Sequence, residues 1–103
     1  MYRGTTPTLI FKLQAPNLNL DDAEQIWVTL KLPPYEQTWD ISRCTIDNEN
    51  KKISITLTQE ETLALPVLKV KAQIRILLVT GQALATKVVY TNVGEILKEG
   101  VIA

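Results

Sequence analysis

Two adjacent carboxylates, Glu60 and Glu61, are the residues of this sequence that come nearest to a catalytic pair. Paired carboxylates perform acid–base chemistry when they face each other across a cleft. Adjacent residues of one turn point in different directions, and Thr58 followed by Glu61 has the capping-box spacing of a helix start. We therefore expect Glu61 to cap a helical turn and Glu60 to face solvent.

A denser acidic run, Asp21, Asp22 and Glu24, carries oxygen atoms of the kind that hard cations prefer. Its spacing is not that of an EF-hand loop, which alternates acidic residues, turns at a glycine and closes with a glutamate. We therefore predict a solvated loop or a helical turn at this position, with no metal site and no cofactor.

The sequence of 103 residues contains no histidine and a single cysteine, Cys44. Without histidine, the Ser-His and Cys-His nucleophile pairs and the commonest zinc ligand are missing. A lone cysteine forms no internal disulfide, which is typical of proteins assembled in a reducing cytoplasm. We expect a buried, inert thiol and predict that the protein is not an enzyme.

The charges of the chain are balanced, with 11 Lys and Arg against 11 Asp and Glu and a formal net charge of +0 at pH 7. Such a chain lacks the basic excess with which proteins bind nucleic acids and anionic membranes. Its apolar runs are far shorter than the ~20 residues of a membrane span, and its start does not have the pattern of a signal peptide. We predict no nucleic-acid partner and no membrane partner.

The elements that position these residues are mainly strands, because apolar and polar residues alternate with a period of two. The predicted strands cover residues 8–13, 25–32, 38–42, 44–46, 52–57, 67–80 and 84–93, with a helical turn at 59–65. This pattern predicts an all-β fold, an antiparallel immunoglobulin-like β-sandwich of about seven strands with one short helical turn. We expect a single domain over residues 1–103, with an extended N-terminal arm (1–7) and an apolar C-terminal tail (94–103).

Trp27 is the residue of the predicted strands that most needs a cover. Its neighbours Ile26 and Val28 occupy the core face, so alternation places the indole on the opposite face. Either a second layer of the protein or a partner must cover it there, and tryptophan is enriched in protein interfaces. Trp39, in contrast, is expected in the core.

A row of basic residues, Lys69, Lys71 and Arg75, shares the polar side of the strand at 67–80 with Gln73. Three interpretations stay open for this row. It is a solvated face, a guard against strand pairing at a sheet edge, or a contact surface for a phosphate or an acidic partner.

Both ends of the chain add candidate contacts. The C-terminal tail is apolar, whereas most tails are polar, so we expect something to cover it. Taken with the basic row and Trp27, they give the predicted partner-binding residues: Tyr2, Arg3, Trp27, Lys69, Lys71, Ile96, Leu97, Val101 and Ile102.

Three stretches resemble a family of small proteins from the tail modules of phages and prophages of Gram-positive bacteria. They are YRGTTPT at residues 2–8, LTQEETL at 57–63 and VGEILKEGVI at 93–102. The resemblance spans the chain, and its first and last stretches are the specific part. More loosely, the chain looks like the N-terminal adaptor domain of baseplate upper proteins, although it lacks the helix and receptor-binding region that normally follow.

The resemblance implies a structural subunit of a phage or phage-derived contractile tail or baseplate, not an enzyme. It implies location in a virion or tail-like particle assembled in the bacterial cytoplasm. The implied partners are other tail or baseplate proteins, in a homo-oligomer or a larger symmetric assembly that the terminal segments and a sheet face would hold together.

Three other functions remain as alternatives. A carbohydrate-binding module would use Trp27, Tyr35 and Trp39 as a stacking platform for host cell-wall glycans. A tail assembly factor would be absent from the mature particle. A small enzyme or enzyme-inhibitor subunit would need a convergent polar pocket, for which the sequence gives no candidate.

Overall fold

The computed structural model describes residues 1–13, 17–86 and 88–102. Within these ranges the chain forms eight strands: β1 (Thr8–Lys12), β2 (Ala23–Leu32), β3 (Tyr35–Trp39), β4 (Cys44–Asp47), β5 (Lys52–Thr56), β6 (Lys69–Leu78), β7 (Ala83–Ala85) and β8 (Val89–Asn92). One short helix, α1 (Gln59–Leu63), and two 3-10 turns, Leu20–Asp22 and Ile41–Arg43, connect them. The predicted all-β class is therefore confirmed. The two 3-10 turns are additional to the one helical turn that the sequence predicted.

The strands form two antiparallel sheets. The smaller sheet has the order β1-β5-β4, and the larger has the order β3-β2-β6, with β7 and β8 both paired to the far edge of β6. β2 and β6 are the long central strands, each of 10 residues. Lys71 therefore does not guard a sheet edge, because it lies opposite Lys31 on one side and Tyr90 on the other, whereas Lys69 has a strand partner, Asn92, on the β8 side.

The core lies between the two sheets and follows the alternation of the sequence. β2 contributes Ile26, Val28 and Leu30, which are fully buried, and β5 contributes Ile53 and Ile55. The remaining buried apolar side chains come from β3, β6 and the connections: Leu20, Trp39, Leu57, Leu65, Val70, Ala72, Ile74, Ile76, Leu78 and Val93. Burial of these alternating side chains is what makes the two sheets pack as a sandwich.

The third predicted strand is displaced toward the N-terminus. It runs over Tyr35–Trp39, directly after a turn with a cis Pro33–Pro34 bond, and not over residues 38–42. The Asp40 carboxylate accepts a hydrogen bond from the Ser42 amide at 3.0 Å and starts the 3-10 turn at Ile41–Arg43. An Asp side chain that captures a nearby amide competes with the strand ladder, which explains why the strand ends at Trp39.

The last predicted strand, residues 84–93, is interrupted. The Ile74 amide donates a hydrogen bond to the Thr86 hydroxyl at 3.0 Å. In a regular ladder this amide would donate to a backbone carbonyl instead. The Gln73 side chain donates to the Thr86 carbonyl at 3.0 Å, so a second hydrogen bond holds Thr86 against β6. The strand therefore divides into β7 and β8, although both halves still pair with β6 as a hairpin requires.

Helix α1 begins as the sequence predicts. The Glu61 amide donates to the Thr58 hydroxyl at 3.2 Å, and the Thr58 amide donates to the Glu61 carboxylate at 2.8 Å, so both halves of the capping box are present. Glu60 is exposed. The helix ends at Leu63, two residues earlier than the predicted segment.

The two ends of the chain pair with each other. Tyr2 forms a parallel bridge with Gly94, the Gly94 amide donates to the Met1 carbonyl at 2.7 Å, and the Met1 ammonium donates to the Asn92 carbonyl at 2.7 Å. The chain then turns at Gly4, whose φ of 72 lies in the left-handed region. The N-terminal residues therefore lie against their own chain, beside Asn92 and Gly94.

Candidate functional site

The outer side of the larger sheet is the best candidate for a functional surface. Its side chains alternate with those of the core and point away from the smaller sheet. We call it the Trp27 face and define it by Trp27, Thr29, Lys31, Glu36, Thr38, Lys69, Lys71, Gln73, Arg75 and Tyr90. The sequence therefore places Trp27, Lys69 and Lys71 correctly on one exposed face.

Trp27 is 44% exposed, which is unusual for the largest apolar side chain. The β2–β6 register places Arg75 directly opposite Trp27, and Ala85 of β7 is opposite Arg75 on the next strand. The indole thus has a cationic neighbour across the strand. The second layer that the sequence left open as a cover for Trp27 is not present among the described residues.

Two lysines oppose each other on the same face, at the last pair of the β2–β6 register. Lys31 of β2 pairs in register with Lys71 of β6, and Tyr90 of β8 lies beyond Lys71. Glu36 approaches Lys31 at 3.5 Å, with both side chains more than half exposed. Like charges directly opposite each other destabilise a sheet. An exposed ion pair such as Lys31–Glu36 contributes little stabilisation against this. This arrangement costs stability that an anionic partner would restore.

The Trp27 face is also concave at its centre. A shallow depression of about 230 Å³ lies there, and mostly charged and polar residues line it: Thr29, Lys31, Glu36, Lys71, Ala72, Gln73, Arg75 and Val88. A larger apolar groove of about 540 Å³ lies elsewhere, between β1 and the β7–β8 edge. The depression differs from the groove because three cations and the Glu36 carboxylate line it.

The predicted N-terminal contacts are engaged within their own chain. Arg3 donates to the Leu63 carbonyl at 2.8 Å and pairs with the Glu99 carboxylate at 2.9 Å. Tyr2 is 62% exposed, and its ring lies over Gly94 so closely that a Cβ there would come within 2.6 Å. Arg3 therefore has a structural role, whereas Tyr2 keeps an open side.

The C-terminal residues divide in the same way. Ile96 is half-buried and lies against the turn at Gly4, whereas Leu97, Val101 and Ile102 are exposed, Leu97 completely. The Gln59 amide group holds Ile102 by two hydrogen bonds, at 3.0 Å to its carbonyl and 2.8 Å from its amide. Most of the apolar tail is thus uncovered, although its backbone is anchored to α1.

The aromatic residues of the alternative glycan platform do not share a surface. Trp39 is 5% exposed and pairs with Val28, so it lies on the inner side of the sheet, opposite to Trp27. Tyr35 is half-buried, its hydroxyl donates to Gln37 at 3.0 Å, and burial followed by the Glu61 charge raises its pKa. The structure therefore does not bring Trp27, Tyr35 and Trp39 together.

A polar network around Glu61 was only partly visible in the sequence. Arg43 donates to both Glu61 oxygens, at 2.9 and 2.7 Å, and to the Thr56 carbonyl at 3.0 Å, while Trp39 Nε1 donates to the same carboxylate. The Arg43 hydrogen bonds are the main reason that the pKa of Glu61 falls from 4.5 to about 2. The capping box identifies Glu61, but no spacing signal points to Arg43.

Cys44 is half-buried, and its Sγ lies 3.5 Å from the Asp40 carbonyl. Burial raises the pKa of the thiol, so the reactive thiolate is disfavoured, as expected for an inert cysteine. In residues 1–13, 17–86 and 88–102, three or more Cys, Asp or Glu side chains do not gather as metal ligands would. The helices in these ranges are too short or too polar to span a membrane.

Comparison of the chain with family models, with curated proteins and with solved structures gave no match. Function must therefore be inferred from the residues and their geometry.

Proposed function

We propose that the chain is a structural subunit of a phage or phage-derived contractile tail or baseplate, and that it docks to neighbouring subunits mainly through the Trp27 face. The observation that carries docking is the 44% exposed Trp27 opposite Arg75, on a face with a strained pair of lysines. Aromatic and arginine side chains are the usual anchors of protein interfaces. The resemblance of residues 2–8, 57–63 and 93–102 to small tail proteins is the reason that we propose a phage tail or baseplate as the particle.

The exposed tail supports a second docking point in the same role. Leu97, Val101 and Ile102 present apolar surface while Gln59 keeps the backbone in place. A pre-ordered apolar segment docks at lower entropic cost than a free tail does. The subunit would thus contact neighbours at the sheet face and at the tail, with Arg3 holding the tail to its own chain.

The first test is to purify tail particles from the producing strain and count copies of this chain by mass spectrometry and electron cryo-microscopy. We expect a fixed copy number that matches the symmetry of a ring. Absence from intact particles, with the chain free in the lysate, would contradict a structural role and favour an assembly factor.

Variants in the same strain locate the contacts. We expect Trp27→Ala to lower the copy number in the particle, because it removes the anchor of the face without touching the core. Ile10→Ala is the matched control, since Ile10 is 63% exposed on the smaller sheet. Deletion of residues 100–103 with unchanged assembly would contradict docking through the tail.

A further inference from the structure

The chain carries an acidic surface that complements the Trp27 face. The 3-10 turn at Leu20–Asp22 meets the tip of the β4–β5 hairpin, where the Leu20 amide donates to the Asn48 side chain at 2.7 Å. We call this surface the acidic corner and define it by Asp21, Asp22, Glu24 and Glu49, all exposed. Two lysines of the same hairpin lie near this corner: Lys51 donates to the Asn48 side chain at 2.8 Å, and Lys52 is opposite Asp47.

The two surfaces match in charge and in apolar content. The described part of the Trp27 face has four cations, Lys31, Lys69, Lys71 and Arg75, against the single carboxylate of Glu36. At the acidic corner, the Val79 amide donates to the Asp22 carbonyl at 2.9 Å, and the Val79 side chain is 65% exposed. Each surface thus combines one sign of charge with an exposed apolar side chain.

We propose that copies of this chain associate head to tail, with the Trp27 face of one copy on the acidic corner of the next. Two Trp27 faces repel each other, so a two-fold contact of this surface with itself is disfavoured. An anionic neighbour would relieve the opposed Lys31 and Lys71, for which Glu36, 3.5 Å from Lys31, is the single carboxylate of the defined face. The occupant that fits this face is acidic, and the exposed carboxylates of the acidic corner allow a second copy to supply it.

A head-to-tail contact leaves one free face and one free corner at the ends of every oligomer. Such heterologous contacts close into rings when the rotation between copies allows it. This inference rests on the proposed function, because it names the neighbour that covers the Trp27 face within the assembly.

The test is sedimentation velocity of the purified chain over a range of concentrations, at low salt and at about 1 M salt, where the Debye length is about 3 Å. We expect association at low salt that is lost at high salt. Lys71→Glu and Asp22→Lys should each weaken association about tenfold or more, because each places like charges across the contact. Circular dichroism checks that both variants keep the wild-type fold.

An equimolar mixture of the two variants gives the sharpest result. The face that carries Lys71→Glu then meets the corner that carries Asp22→Lys, so opposite charges again lie across this contact. The unaltered face and the unaltered corner also still fit each other, and association should return to the wild-type level. Glu60→Lys is the matched control, since it makes the same charge change as Asp22→Lys on the exposed side of α1, outside both surfaces. We expect it to associate like the wild type.

A wild-type chain that stays monomeric at low salt would overturn the inference, as would a mixture that fails to associate. Neither result would affect the copy number in purified particles, so the proposed function is judged separately. If the chain is monomeric in solution and Lys71→Glu still removes it from the particle, the face is occupied by a different acidic subunit and not by a second copy.

Discussion

The two tryptophans of the larger sheet lie on neighbouring strands and have opposite surroundings. Trp39 pairs in register with Val28, the residue that follows Trp27, so the two indoles lie on opposite sides of one sheet. Trp39 is buried and donates to Glu61, whose charge Arg43 balances. Trp27 is exposed, with Arg75 opposite it. Trp39, which shares the Glu61 carboxylate with an arginine, belongs to the core, whereas Trp27, exposed opposite an arginine, is the residue that we propose as a contact.

The largest expected effect is that of removing the buried indole. Trp39→Ala should lower the free energy of unfolding by about 3–5 kcal/mol, because it leaves a cavity and removes a donor to Glu61. Trp27→Ala should change it by about 0.5 kcal/mol or less, as is usual for exposed sites. Urea unfolding followed by circular dichroism measures both. Equal losses for the two variants would end the distinction between the two sites.

The next effect concerns the carboxylate under Trp39. Glu61→Gln should lower the free energy of unfolding by about 1–3 kcal/mol, because it leaves Arg43 without its charge partner and weakens the helix cap. Glu60→Gln is the matched control on the exposed side of α1 and should be close to neutral. Thermal unfolding of the pair at neutral pH tests this, and an unchanged Glu61→Gln variant would contradict the structural role of the network.

The pH dependence of stability should come mainly from the same residue. The pKa of Glu61 falls from 4.5 to about 2 on folding, so the unfolded chain binds more protons between these values. The stabilisation is complete above pH 4.5 and is lost as the pH falls toward 2. Urea unfolding at several acidic pH values should show this slope, and Glu61→Gln should flatten it. The pKa values of Asp40 and Asp47 are also lowered, so some slope should remain.

The smallest effect has the opposite sign and belongs to the exposed face. Lys71→Gln should raise the free energy of unfolding by about 0.2–0.5 kcal/mol, because it removes the repulsion with Lys31. The gain should disappear at about 1 M salt, where exposed charges are screened. Lys69→Gln serves as the control, because Lys69 lies opposite Asn92 and not opposite another lysine. A loss of stability in Lys71→Gln would show that the lysine pair is structural and not strained.

Alternation made most of the fold predictable. The inner side of β2 follows without ambiguity from Ile26, Val28 and Leu30. The same alternation of side chains places Trp27 on the outer side. The capping box at Thr58 and Glu61 was equally predictable, because its partners are three residues apart. These features depend on neighbours in sequence.

The features that sequence reasoning missed depend on single side chains that form hydrogen bonds outside the regular strand ladders. The Asp40 carboxylate shortens β3, and the Thr86 hydroxyl divides the last strand by taking the Ile74 amide, 12 residues away. The binding of Arg3 to Glu99 spans 96 residues. Strand order decides which of these groups meet, and alternation carries no information on strand order.

The placement of the two indoles on opposite sides of one sheet also makes them separate optical reporters. Iodide is an anion, so the cations around Trp27 should concentrate it there, and it should quench the exposed indole at concentrations that leave Trp39 emission intact. A neighbour that covers the Trp27 face would block this quenching. The emission of the wild-type protein would then record contact at one side of the sheet and unfolding at the other, with no added label.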